Sequence, residues 1–197
     1  MRVRASVVKE IFRKSIHLCS GIIPFLLKDF YWPVIIGISI ILVFYIVCEL
    51  LRKAGYPVPF ISIITETAAR DRDENKFVLG PVTLVIGIIL AALLLPPESA
   101  KIGIFALAFG DGFASLVGKL IGIVKLPYMH GKTLEGCLAC FTAVFISSYL
   151  VTSSFYMALF LGLFAMIIEV LPLKDLDNIL IPVLVGLMHF FLNKYLF

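Results

Sequence analysis

The feature that most limits the fold of this chain is a series of apolar segments of about 17 to 25 residues, each long enough to cross a bilayer as a helix. Between them lie short stretches that carry most of the charge. The mean hydropathy is +1.07 and only 15% of the 197 residues are charged, against roughly a quarter in an ordinary soluble domain. The sequence therefore predicts an all-α, polytopic transmembrane bundle that forms a single domain.

We expect about seven spans, with approximate ranges of 11–27, 32–51, 78–95, 100–121, 134–152, 155–171 and 178–196. The longest connection, about 52–77, holds an apolar stretch at 61–69 that suits a short amphipathic helix. If the N-terminus is cytoplasmic, fourteen of the 17 Lys and Arg residues fall on the cytoplasmic side, as the positive-inside rule requires. Because these charges lie between spans, the net charge of +4 does not indicate a nucleic-acid partner.

The fourth predicted span contains an aspartate, Asp111, in an otherwise apolar run. A carboxylate at that depth is costly unless it faces protein, water, a metal or a substrate. Small residues recur beside it at every fourth position, namely Gly110, Ala114, Gly118 and Gly122. Such a strip lets another backbone come close, within one chain or between two, so a homodimer stays open. A second line at the same spacing holds Asp111, Ser115 and Lys119. The helix is either a packing motif with one paired acid or part of an ion or phosphate site.

The predicted topology brings the unusual polar residues to the cytoplasmic face. The acids there, which could hold Mg²⁺, are Asp111, Asp177, Glu135 and Glu169, and the cations, which could hold phosphates, are Lys132, Lys119 and Arg70. Phosphoryl transfer needs both kinds of group. Gly131-Lys132-Thr133 is not a P-loop, because the glycine required upstream falls at Leu126. A carrier would place such groups near the midplane in two related halves, and no internal repeat is evident.

Four blocks resemble one enzyme family, the CTP-using lipid kinases, which include dolichol, phytol and farnesol kinases and CTP-dependent diacylglycerol kinase. The blocks span residues 9–17, 70–80, 110–136 and 169–182. The third is shared with the related CDP-diacylglycerol synthases, whereas the first and fourth are similar to the kinase branch. The C-terminal signature of the synthases, which ends in an Asp-Arg pair, is replaced here by Leu192-Asn193-Lys194-Tyr195.

The resemblance implies transfer of the terminal phosphate of CTP to the hydroxyl of a membrane lipid, with Mg²⁺, at the cytoplasmic face of a multi-pass membrane protein. The membrane would be the cell membrane in a prokaryote or an ER-type membrane in a eukaryote. In this interpretation Asp111 and Asp177 hold the metal, and Lys132 neutralises the triphosphate. The further nucleotide-binding residues would be Arg70, Lys119, Gly131, Thr133, Glu135 and Asn178. The cavity would be lined by Arg13, Lys14, His17, Glu74, Ser115 and Glu169.

Several alternatives stay open from the sequence. The runner-up activity is the synthase reaction, in which a lipid phosphate attacks the α-phosphate of CTP, and the non-enzymatic alternative is a membrane carrier. His17 is either a site residue or an interfacial histidine, and His130 and His189 are taken as incidental. Cys137-x-x-Cys140 lacks a second ligand pair, which favours small apolar filler. Polyprenols, dolichol, phytol-like alcohols and diacylglycerol all fit as acceptors.

Overall fold

The chain folds into a bundle of helices. The structure is a computed structural model that describes residues 2–69, 76–127, 131–171 and 174–196. Within those ranges the only pairing of extended backbone is a single antiparallel bridge between Lys125 and Thr133. The helices are α1 (Arg2–Ser20), α2 (Ile23–Asp29), α3 (Tyr31–Lys53), α4 (Pro59–Ala68), α5 (Gly80–Leu94), α6 (Pro97–Phe105), α7 (Gly112–Leu120), α8 (Leu134–Thr152), α9 (Phe155–Val170) and α10 (Asp177–Tyr195). A π-helical segment (Ala106–Asp111) joins α6 to α7, and a 3₁₀ turn (Lys174–Leu176) precedes α10.

Four of the described helical segments are long and apolar enough to cross a membrane: Tyr31–Lys53, Pro97–Leu120, Leu134–Thr152 and Lys174–Tyr195. Two more apolar helices, Gly80–Leu94 and Phe155–Val170, are shorter. Large apolar side chains such as Ile36, Ile40 and Val43 on α3 are more than half exposed. An exposed apolar face of this extent is typical of a surface that contacts lipid. The membrane character predicted from composition is therefore supported, whereas the count of seven spans and the cytoplasmic N-terminus stay predictions.

The predicted spans match the helices closely, with one difference. The segment expected at 11–27 is divided between α1 and α2, which are separated by Gly21 and Ile22. A side chain at Gly21 would come within 2.7 Å of the ring of Phe109, so this break is where the first helix passes close to the π-helical segment. The amphipathic helix expected at 61–69 is present as α4.

Hydrogen bonds between helices fix which ends lie together. The Tyr31 hydroxyl, at the start of α3, donates to the carbonyl of Ala92 near the end of α5. At the other end, the Tyr45 hydroxyl donates to the carbonyl of Val78, just before α5 begins. The amide of Asn178, in the first turn of α10, reaches Thr83 in the first turn of α5. The end of α3 and the starts of α5 and α10 therefore share one end of the bundle.

The small-residue strip of α7 packs within the chain. A Cβ at Gly118 would lie 2.9 Å from Oγ1 of Thr133, and one at Gly136 would lie 2.7 Å from the carbonyl oxygen of Ala114. At Gly110, the nearest atom would be a methyl group of Val144, at 2.7 Å. The partner of the strip is therefore the start of α8. Of the two packing partners left open by the sequence, the structure uses the intramolecular one at these positions, and a homodimer stays a prediction.

Candidate functional site

Asp111 is buried at the end of the π-helical segment and faces the side chains of Lys14 and His17 from α1. It is 1% exposed, and its Oδ2 accepts a short hydrogen bond from Nζ of Lys14, which is also 1% exposed. Nδ1 of His17 lies 2.9 Å from the same oxygen but is not aligned for a hydrogen bond. Lys14 and His17 are one helical turn apart, so a single face of α1 supplies both groups. A buried aspartate is thus compensated on one of its two oxygens.

A second buried ion pair joins Lys132 to Glu169. Nζ of Lys132 donates a short hydrogen bond to Oε1 of Glu169, whose side chain is only 2% exposed. Lys132 itself is about a quarter exposed. The other carboxylate oxygen of Glu169, Oε2, is buried and has no hydrogen-bond partner among the described residues. One end of the pair, Lys132, therefore reaches the surface of the bundle, and the other end is a buried carboxylate oxygen without a hydrogen-bond donor.

The connection that precedes α8 places Lys132. The backbone amide of Leu126 donates to the carbonyl of Lys132 at 2.9 Å, and the amide of Leu134 donates to Val124 at 2.9 Å. Gly131 has a φ of +86°, a conformation that a residue with a Cβ rarely adopts. Thr133 then caps α8, because its Oγ1 accepts from the amide of Gly136 at 3.2 Å. The Gly-Lys-Thr sequence thus forms a turn and a helix cap, with the lysine directed into the bundle.

Electrostatics link the two ion pairs. Burial acts to lower the pKa of Lys132, but the charge and hydrogen bond of Glu169, together with smaller contributions from Asp111 and Asp177, raise that pKa above its ordinary value. The carboxylates of Asp111 and Glu169 also interact with each other. Lys132 therefore stays charged at neutral pH and lies within electrostatic range of three carboxylates from three helical segments. The sequence predicted that Asp111, Lys132 and Asp177 would form one site. In the structure both aspartates act electrostatically on Lys132, and their shared catalytic role stays a prediction.

The start of α10 brings Asp177 and Asn178 to the same end of the bundle. Oδ1 of Asp177 accepts from the amide of Asn178 at 2.8 Å. The side-chain amide of Asn178 hydrogen-bonds to α5: it donates to the carbonyl of Gly80 at 3.3 Å and to Oγ1 of Thr83 at 2.9 Å. Both residues are more than nine-tenths buried. Asn178 thus ties α10 to α5 and holds Asp177 in place.

Other predicted site residues lie outside this cluster. Lys119 is exposed near the end of α7. The carboxylate of Glu135 accepts from the amide of Val124, at 3.1 Å from Oε1, which stabilises the connection before α8. Arg13 pairs with Glu10 at 2.6 Å. Ser115 is partly buried. Arg70 and Glu74 lie outside the described residues, as does His130, and their roles stay predictions.

Two buried polar groups were not predicted to be structurally important. Glu49, fully buried near the end of α3, accepts two hydrogen bonds from Arg52 at 2.7 and 2.8 Å and one from the amide of Val78 at 2.9 Å. His189 is hydrogen-bonded through Nδ1 to Oγ of Ser99 at 2.9 Å. The spacing of Glu49 and Arg52, one helical turn apart at a span end, is the signal that could have identified the first pair.

The metal prediction depends on pairs of carboxylates. Among the described residues, no three His, Cys, Asp or Glu side chains are grouped so that they could hold a metal ion. Mg²⁺ at a nucleotide site needs only one or two carboxylates, because phosphate oxygens and water supply the other ligands. The contacts of Asp111 with Lys14 and His17 both involve Oδ2. The residues present therefore fit a nucleotide-bound Mg²⁺ better than a metal held by protein alone.

Comparison with known proteins gives a consistent set of relatives. The chain is 28% identical over 96% of its length to a Triticum aestivum protein named "Probable phytol kinase, chloroplastic", and covers 69% of that protein. It is 26% identical to Arabidopsis thaliana phytol kinase 1, with 91% of this chain and 65% of the relative aligned. A farnesol kinase of the same plant is 33% identical over 48% of this chain and 31% of its own length. No family model and no solved structure matches the chain.

Proposed function

Since the chain is a homologue of the phytol and farnesol kinases, as the motif blocks predicted, we propose that it transfers the terminal phosphate of CTP to the hydroxyl of a membrane isoprenoid alcohol. The observation that carries this proposal is the similarity over 96% of the chain to a protein named as a phytol kinase. The buried cluster of Lys14, Asp111, Lys132 and Glu169 supplies charges of the kind that phosphoryl transfer requires.

Lys132 is the residue we assign to the phosphates. It is the member of the cluster with access to the surface, and it is attached to a turn whose glycine leaves room for an anion. When a triphosphate arrives, the lysine exchanges part of its interaction with Glu169 for a charge-assisted hydrogen bond to phosphate oxygen. The exchange keeps the ammonium compensated throughout, so the buried end of the site never holds an unpaired cation.

Asp111 and Asp177 are the residues we assign to Mg²⁺. The ion would neutralise charge that develops on the phosphate oxygens. Lys14 and His17 hold the Asp111 carboxylate in one orientation through Oδ2, and the amide of Asn178 fixes Oδ1 of Asp177. These contacts pre-organise both carboxylates, so little reorganisation is needed when nucleotide binds.

The acceptor would enter from the lipid. An isoprenoid alcohol presents one hydroxyl at the headgroup plane above a long apolar tail, which suits a site at one end of an apolar bundle. A cytoplasmic orientation of that end, as the distribution of Lys and Arg predicts, would give it access to nucleotides. Phytol, farnesol, polyprenols, dolichol and diacylglycerol differ below the hydroxyl, and we propose the isoprenoid alcohols because the relatives bear the names of such enzymes.

The test is a substrate screen with purified protein in lipid vesicles. Farnesol, phytol, a polyprenol, dolichol and diacylglycerol are each incubated with Mg²⁺ and either CTP or ATP. We expect CDP and a phosphorylated isoprenoid alcohol. Release of pyrophosphate with a CDP-lipid from a lipid phosphate would instead identify the synthase reaction. Absence of nucleotide turnover with every acceptor would contradict both enzymatic assignments and favour the carrier.

A matched pair of lysine variants tests the site itself. Lys132→Ala should lower turnover by about 10²-fold or more, the usual effect of deleting a group that stabilises charge in the transition state. Lys125→Ala is the control, because Lys125 lies in the same connection and is exposed. Normal CTP consumption by the Lys132 variant would remove that residue from the site, provided that the enzyme turns CTP over at all.

A further inference from the structure

We infer that Glu169 is the general base that accepts the proton of the acceptor hydroxyl, an inference that rests on the proposed function. The sequence placed Glu169 among the acids that could hold Mg²⁺ and among the cavity-lining residues, and it assigned no residue to this step. The observation behind the inference is that Oε2 of Glu169 is buried and has no hydrogen-bond partner in the described parts of the chain. A buried carboxylate oxygen without a hydrogen-bond donor destabilises the fold. We therefore expect a bound ligand to supply that donor.

The surroundings of Glu169 suit a hydroxyl group. Its Oε1 is held by Lys132, which fixes the carboxylate and leaves Oε2 as the reactive oxygen. The charged groups in electrostatic range are Lys132, Asp111 and Lys14, and the thiols of Cys137 and Cys140 on α8 also interact with it. Glu169 is in the last turn of α9, at the end of the bundle where the lysine reaches the surface.

The other acids of the cluster are less suited to this role. Oδ2 of Asp111 is shared by Lys14 and His17, and Oδ1 of Asp177 accepts the amide of Asn178. Glu135 is bonded to the backbone of Val124 outside the cluster. Glu169 therefore combines three properties: it is buried, it is held beside the phosphate-binding lysine, and it presents an oxygen without a partner.

The hydroxyl oxygen of the alcohol forms a bond to the terminal phosphorus while the bond from that phosphorus to the bridging oxygen breaks. The electron pair leaves with the nucleoside diphosphate, and the hydroxyl proton passes to Oε2 of Glu169, from which it returns to water after the products leave. Lys132 would lie between Glu169 and the phosphate. The same lysine that orients the Glu169 carboxylate would therefore also neutralise negative charge on the transferred phosphoryl group.

The experiment compares Glu169→Gln with the wild-type protein in vesicles, using phytol and a fluorinated short-chain alcohol whose hydroxyl is more acidic. With phytol, kcat should fall by about 10²-fold, which is the lower end of the effect of general-base catalysis. The effect is at the lower end because a loose transition state requires little removal of the proton from the attacking hydroxyl. The KM for nucleotide should change little. The acidic alcohol should restore much of the lost rate in the variant and change the wild-type rate less.

Two outcomes overturn the inference alone: a wild-type kcat in Glu169→Gln, or a loss of kcat that is equal for both alcohols, as expected if Glu169 only positions Lys132. Failure of the wild-type protein to phosphorylate any alcohol overturns the proposed function and this inference together. If Glu169→Gln does not fold, Lys132→Gln/Glu169→Gln removes both charges of the pair and is compared with Lys132→Gln. The double variant should then be the slower of the two with phytol, and equal rates would exclude the base.

Discussion

The ion pair between Lys14 and Asp111 gives the sharpest test of how the site is held together. The two residues are 97 positions apart in sequence, and both side chains are at most 2% exposed. Lys14→Met removes the ammonium but keeps most of the side-chain volume, which leaves His17 as the remaining neighbour of Oδ2 of Asp111. Asp111→Asn removes the negative charge and leaves the ammonium of Lys14 buried without the carboxylate that it contacts.

The expected magnitudes follow from the burial of the pair. Removing one partner of a buried ion pair typically costs about 3–5 kcal/mol, because the charge left behind is neither hydrated nor compensated. Replacing both partners with neutral groups of similar size is often close to neutral. Each single variant should therefore be destabilised by about 3–5 kcal/mol, and Lys14→Met/Asp111→Asn should recover most of that loss. The coupling free energy between the two sites should be at least about 3 kcal/mol.

The assay is reversible denaturation of the purified protein in mixed micelles, followed by circular dichroism, together with nucleotide turnover in vesicles. Lys28→Met is the control, since Lys28 is exposed and should shift stability by less than about 0.5 kcal/mol. The double variant should be folded and still inactive, because the carboxylate assigned to the metal is gone. Single variants as stable as the wild type, or additive single effects, would refute the burial argument.

Three further predictions address packing, pH and the link between α3 and α5. Gly103→Ala should destabilise the fold by about 1–3 kcal/mol, because the new Cβ would lie 2.0 Å from the carbonyl oxygen of Pro182. Gly37→Ala is the control, since a Cβ at Gly37 would have no neighbour within 4 Å. This variant should unfold at or slightly above the denaturant concentration at which the wild type unfolds. The contribution of Lys132 to the free energy of unfolding, measured as wild type minus Lys132→Gln, should show no decline between neutral pH and the ordinary lysine pKa of 10.5. The pKa of Lys132 is raised in the folded state, so its stabilising effect is fully present below the unfolded-state pKa and is lost as pH rises through the folded-state pKa. A decline already at pH 8 would contradict the assignment. Glu49→Gln should accelerate hydrogen exchange at the amide of Val78, because this amide donates a hydrogen bond to the Glu49 carboxylate at 2.9 Å. Glu98→Gln is the control, since Glu98 is exposed and its replacement should leave the exchange rate of Val78 unchanged.

The helices themselves could be predicted from local sequence. The segment expected at 134–152 is α8 (Leu134–Thr152), and the segment expected at 32–51 lies within α3 (Tyr31–Lys53). The reason is that length and apolarity are properties of a continuous stretch, and a bilayer requires about 20 such residues. Gly21 and Pro24 interrupt the first apolar run locally, but the sequence does not reveal that the ring of Phe109, from a distant part of the chain, packs against Gly21.

The candidate site was predicted as a gathering of residue types, and only the tertiary structure decided the pairs. The sequence placed Asp111, Lys132 and Glu169 at one face of the membrane by counting spans. It did not indicate that Lys14 would form an ion pair with Asp111, or Lys132 with Glu169. Nor did it indicate that Lys119 would be exposed near the end of α7. Helical spacing fixes which side chains share a face of one helix, but partners 37 or 97 residues apart depend on how each helix is rotated and crossed against its neighbours. That rotation is set by close contacts such as Gly118 on Thr133 and Gly103 on Pro182. A local pattern can show that a helix has a small-residue face, as at Gly118, but not which residue packs against it.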